Sequence, residues 1–249
     1  MEFLITGAGD PVTLFVPGMG ARIADTRPLG SGVAGRKVFV QLRGHGRSTT
    51  PHPHWRYADL AGDVAAVADH VAARRALGVS MGAGAVCRLI TEQPDRFDRL
   101  VFFLPAVLDD VRSGSAAARL RRLSAAIAAG AHDEVARLVA EEIPERLRDS
   151  PDAREYAAQR AAHLIDRRLA SHVASLADEI AVPDVAALGQ VTAPALVLAC
   201  RGDELHPVEV AERLAAALPS ATLHVYDTPG VLFLHRADLR RRISEFLAG

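Results

Sequence analysis

Lysine is almost missing from this chain: Lys37 stands alone among 29 basic residues, and all the other cations are arginines. Against 30 acidic residues the formal net charge is −1, so no electrostatic footprint for nucleic acid is expected. Cysteine is nearly as scarce. Cys87 and Cys200 are too few for a disulfide framework and both lie in apolar runs, which predicts buried free thiols in a reducing compartment. No apolar run approaches the length of a membrane span. Met1–Gly7 shows no basic region followed by a long apolar stretch, so a soluble, cytoplasmic protein without a membrane partner is expected. No glycine loop of the P-loop or dinucleotide type is present, and no cofactor is expected.

What the chain does have is apolar content of 49% and charged content of 24% over 249 residues, enough for one large core or a core with an insertion. Val12–Val16 and Lys37–Leu42 are apolar runs ended by glycine-rich turns, Pro17-Gly18-Met19-Gly20 and Arg43-Gly44-His45-Gly46-Arg47-Ser48. Both predict buried strands. Leu60, Val64, Val67 and Val71 fall at helical spacing. A strand over 75–79, an apolar helix stopping before Pro94 and a strand over 100–104 follow. This alternation predicts an α/β fold with a mostly parallel, doubly wound sheet.

From about 110 to 190 helical periodicity replaces strand-like runs, as in Leu120, Leu123 and Ile127, with Ser150-Pro151 as a helix start. Residues 111–190 hold 11 arginines against 12 acidic residues, so the segment is not a basic module. It predicts either an ordinary solvated helical set or a helical cap over a site on the sheet. Strands return at 195–200 and 222–226, with helices over 208–217 and about 236–247. The division expected is a core of residues 1–109 and 190–249 with a cap of 110–189.

Gly78-Val79-Ser80-Met81-Gly82 matches G-x-S-x-G, a turn so sharp that its central residue is strained. A Cβ at either glycine would clash. The serine hydroxyl then stands at a helix N-terminus, where negative charge is well tolerated.

With these pieces in order, the chain resembles the α/β-hydrolase fold superfamily, in its serine-nucleophile branch with a helical cap. Pro17–Gly20 stands where that family has its His-Gly oxyanion turn. Leu42–Ser48 is close to a common turn of the family, with Gln41 where Asp usually stands. Ala193–Cys200 followed by Asp203 and Pro207 matches the acid-bearing strand and its loop.

The resemblance implies Ser80 as nucleophile, the N–H groups of Met19 and Met81 as oxyanion donors, and Asp203 as the acid, with Glu204 as fallback. It also implies a histidine just after the last strand, where this chain reads Gly230-Val231. Three readings of the base stay open: His235 through a rearranged loop, His206 from the acid's own loop, or no histidine at all. His235 is the residue expected. His52 and His54 lack partner ligands for a metal. His45 belongs to the glycine turn, while His163 and His172 lie in the helical insertion. Phe102, Phe103 and Phe233 are expected in the core or a pocket wall.

The function expected is Ser-His-Asp acyl transfer on a small, fairly apolar ester, thioester or lactone, with a small-molecule substrate as partner, no nucleic acid or membrane, and the oligomeric state open. Serine rather than aspartate at the elbow argues against epoxide or haloalkane hydrolysis. The competing expectation is a cyclase, lyase, elimination catalyst or ligand-binding protein on the same fold, which could work without the base.

Overall fold

The computed structural model describes residues 1–49, 55–165 and 167–249. Seven strands form one sheet in the order β1-β3-β2-β4-β5-β6-β7. They are β1 (Glu2–Thr6), β2 (Val12–Val16), β3 (Arg36–Gln41), β4 (Arg75–Val79), β5 (Arg99–Phe103), β6 (Ala195–Cys200) and β7 (Ala221–Tyr226). All neighbours pair in parallel except β1, which runs antiparallel to β3 at the edge. The sequence pattern missed β1, because a half-buried edge strand lacks the continuous apolar run that marked the central ones.

The helices are α1 (Ile23–Thr26), α2 (Tyr57–His70), α3 (Met81–Glu92), α4 (Gly114–Ala129), α5 (His132–Ala140), α6 (Pro151–Leu164), α7 (Arg167–Leu176), α8 (Val208–Ala217), α9 (Val231–Leu234) and α10 (Arg236–Ala248). Strand residues alternate between two cores, one on each face. Leu14, Leu100 and Phe102 pack with α2 and α3, while Phe15, Val101 and Phe103 pack with Leu239 and Ile243 of α10. A strand covered on both faces must be apolar at every position, and that is why the central strands read as unbroken hydrophobic runs.

Among the described residues, four α-helices, α4 to α7, lie between β5 and β6. The start of α6 follows the sequence closely: Ser150 Oγ accepts the Ala153 N–H at 3.2 Å and Pro151 takes the first helical position. Among the described residues, no helix is long and apolar enough to cross a membrane.

Candidate active site

β4 runs straight into α3, and the change of direction is concentrated in Ser80. Its φ of 50° and ψ of −110° lie outside the regions comfortable for a residue with a Cβ. The strain is held by packing on both sides. A Cβ on Gly78 would sit 2.6 Å from the Gly82 carbonyl oxygen, and one on Gly82 would sit 2.4 Å from the Val16 carbonyl oxygen. The Ser80 backbone is tied at both ends, its N–H donating to Phe103 O at 3.0 Å and its carbonyl accepting the Gly84 N–H at 3.1 Å.

Ser80 Oγ lies 2.9 Å from Nε2 of His206, and Nδ1 of the same ring lies 2.8 Å from Asp203 Oδ2. The loop from β6 to α8 makes this possible through one aspartate. Asp203 Oδ1 accepts the N–H groups of Leu205 at 3.0 Å and His206 at 3.2 Å, folding the loop over its own side chain. Pro207 then caps α8 and restricts the histidine before it to extended backbone. Burial pushes the Asp203 carboxyl up, but the adjacent His206 ring and the two backbone donors outweigh it, so the net shift is downward. Asp203 is thereby held as the carboxylate that an imidazolium needs as neighbour. Glu204, the fallback acid, is exposed.

The structure does not bring His235, the base expected from the sequence, to Ser80. The single turn of α9 closes with the His235 N–H donating to Val231 O at 2.9 Å, and the ring is laid against Tyr226, with centroids 4.9 Å apart. Val231, at the step where a histidine was expected, is buried in the core around α10. The ring within hydrogen-bond distance of Ser80 Oγ comes instead from the loop that carries Asp203. The Asp-x-x-His spacing before a proline was the available signal, and only the folding of that loop gave it an aim.

The turn 17–20 lies against Ser80: a Cβ on Gly18 would fall 3.5 Å from Ser80 Cβ. Met81 is the first residue of α3, so its N–H has no acceptor within the helix. A cavity of about 160 Å³ opens at Ser80 and His206. Its wall is mainly apolar, with Val79 and Phe103 from the sheet and Leu120, Leu123, Leu164 and Leu176 from α4, α6 and α7. Asp25, Thr26, Arg112, Glu142, Tyr156 and Arg160 are polar residues of the wall, none of them singled out by sequence pattern. Burial pushes the Glu142 carboxyl up, against the opposing pull of Arg160 and Arg119. Phe233 touches Tyr156 edge-on at 5.1 Å, and Phe102 is buried in the sheet core.

The remaining histidines take other places. His172 is buried, stacked on Trp55 at 4.0 Å. His163 is shifted downward, chiefly by burial. His52 and His54 lie outside the described residues, and among those described no cluster of His, Cys, Asp or Glu could hold a metal ion. Cys87 and Cys200 are buried free thiols, and burial pushes Cys200 up to about 12.

His45 is buried behind the turn 17–20, with Nδ1 2.9 Å from the Arg43 carbonyl and Nε2 accepting the Gly20 N–H at 2.7 Å. One ring nitrogen must donate and the other accept, which fixes the neutral form. Burial, with smaller contributions from Arg160 and His172, lowers its pKa to about 4 from the ordinary 6.5. Between these two values the unfolded chain binds the proton and the folded one does not, so stability should fall as pH drops through that window. The loss approaches about 3 kcal/mol at its lower end and does not grow further below it. Urea unfolding of the parent and of His45→Gln at pH 7 and pH 4.5 measures it; the parent should lose more stability between the two.

Residues 12–231 match the family model described as "Serine aminopeptidase, S33". No match is found among curated proteins. Among solved structures, a thermophilic esterase from Thermogutta terrifontis superposes with a TM-score of 0.82 at 20% identity, covering 99% of this chain and 92% of that one. An enol-lactonase from Burkholderia xenovorans gives 0.82 at 19% identity, covering 100% and 96%. A hydrolase from Pseudomonas aeruginosa gives 0.78 at 24% identity, covering 99% and 94%. These likenesses concern the fold.

Proposed function

This chain belongs to the serine aminopeptidase S33 family of α/β-hydrolases, and from that premise we propose that it is a serine hydrolase of small, largely apolar esters, thioesters or lactones. The observation that carries the reading is the unbroken line from Ser80 Oγ through the His206 ring to Asp203, at 2.9 and 2.8 Å, at the mouth of an apolar cavity. His206 Nε2 takes the Ser80 proton as Oγ attacks the acyl carbon, and Asp203 stabilises the imidazolium that forms. The oxyanion is received by the N–H groups of Met19 and Met81, aided by the N-terminus of α3. His206 then protonates the leaving oxygen or sulfur, and a water activated by the same ring releases the acyl group.

Helices α4 to α7 act in this reading as the cap of residues 110–189, their leucines selecting apolar substrates. Esterase and enol-lactonase neighbours of the same fold are consistent with that substrate class. The competing non-hydrolytic reading leaned on a missing base, and the position of His206 removes that support.

Treatment with a fluorophosphonate tests the proposal through intact mass. One phosphonyl group should add rapidly to the parent and not at all to Ser80→Ala. A well-folded parent that stays unlabelled would sink the hydrolase reading.

A further inference from the structure

The turn expected to supply an oxyanion donor is held by side chains from three distant places. From the glycine turn after β3, His45 Nε2 accepts the Gly20 N–H at 2.7 Å. From the end of β3, Gln41 accepts the Ile23 N–H at 2.6 Å and donates to the Ala21 carbonyl at 3.2 Å. From α6, Arg160 donates to the Met19 carbonyl at 2.8 Å and to the Gly20 carbonyl at 2.5 Å. The peptide unit joining Met19 to Gly20 is therefore gripped at both ends, its carbonyl by the cap and its N–H by the core. Because a peptide is planar, gripping both ends fixes the orientation of the whole unit. That unit shares the Met19 Cα with the Gly18–Met19 peptide, which carries the Met19 N–H assigned to the oxyanion in the mechanism above, so fixing one plane limits the other.

The docking of α6 on this turn is close as well. Gly20 has a φ of +66°, and a Cβ there would fall 2.1 Å from Leu164 Cδ2, one helical turn beyond Arg160. Asp25, in α1, lies 3.9 Å from the Arg160 guanidinium and helps hold it over the turn. Arginine suits this place because its fork reaches two carbonyls at once, whereas an ammonium is a single point.

We infer that Arg160 is a positioning residue that, working against His45, fixes the Met19–Gly20 peptide plane from the cap and so aims the Met19 N–H at the oxyanion. The inference rests on the acyl-transfer reading and adds a dependence to it: the oxyanion site is complete only while α6 is seated. Arg160 also lines the cavity, so a direct contact with substrate is the alternative the experiment must separate.

The experiment uses full-length parent, Arg160→Met and Arg160→Lys, a p-nitrophenyl ester, and a trifluoromethyl ketone whose serine adduct carries an oxyanion. Arg160→Met should lower kcat by about tenfold to a hundredfold, less than outright loss of a donor. Its KM should stay within about twofold, and its affinity for the ketone should fall by the same factor as kcat. Arg160→Lys, which keeps the aliphatic stem and one donor group, should recover part of the loss at a melting temperature near the parent's. Unchanged kcat and ketone affinity in Arg160→Met would overturn the inference while leaving the hydrolase reading intact. A raised KM with unchanged kcat would overturn it too, in favour of a substrate contact. A parent that neither turns over the ester nor binds the ketone would overturn the acyl-transfer reading and this inference together.

Discussion

Alanine at His206 should lower kcat for ester hydrolysis by about 10⁴-fold to 10⁶-fold, whereas alanine at His235 should change it by less than about tenfold. The first change removes the only ring within hydrogen-bond reach of Ser80 Oγ among the described residues. Without it the serine must attack as a neutral alcohol, and the leaving group departs without a proton. What remains comes from binding and the oxyanion donors, which do not need the base. His235 makes no such contact. Its loss removes a stacked ring from Tyr226 and should cost about 1 kcal/mol of stability. Initial rates and melting temperatures for both variants separate the two roles. Equal losses of rate, or the larger loss in His235→Ala, would reverse the assignment.

Gly82→Ala should destabilise the fold by about 3 kcal/mol, the upper end of ordinary overpacking costs, which is a fall of roughly 6–12 °C in melting temperature for a chain of this size. The added methyl would meet Val16 O at 2.4 Å, Pro17 O at 2.6 Å and the Val16 carbonyl carbon at 2.8 Å. All three are backbone atoms where β2 enters the turn 17–20, so no rotamer change can relieve the contact. The turn must shift away from Ser80, and phosphonylation should slow together with the loss of stability. Gly62→Ala is the matched control. It lies within α2 with nothing within 4 Å of an added Cβ, and alanine is the better helix former by roughly 0.5–1 kcal/mol. That variant should melt at or above the parent. Equal melting temperatures for Gly82→Ala and the parent would mean that the elbow tolerates a side chain and is not built as described.

These two cases mark where local pattern sufficed and where it did not. The elbow was legible because its requirements are local: a strand, a helix and two glycines within five residues. The parallel sheet was legible because burial on both faces imprints continuous apolar runs on β2, β4, β5 and β6. Ser80 could be singled out from such a pattern, and Asp203 from the resemblance that the patterns together carried. The expectation of His235 came from a resemblance that located the base after the last strand, and here Val231 occupies that step within the core. Arg160 and Glu142 carried no local mark at all, and Gln41 was marked only as standing where the family usually has Asp. Arg160 meets Met19 across 141 positions of chain, and nothing in the residues around either one records the contact.

By itself, then, the sequence determined the layers, the strand-turn-helix at Ser80 and the apolar character of the segments that enclose it. These follow from periodicity and from steric demands satisfied within a few residues. The tertiary structure alone decided which imidazole faces Ser80 and what holds the turn 17–20. A histidine's role depends on where its loop aims the ring, and that aim comes from the Asp203 turn, the Pro207 cap and the packing of α9, not from residue type. The elbow could be read along the chain, but its activation depends on contacts between segments the chain keeps far apart.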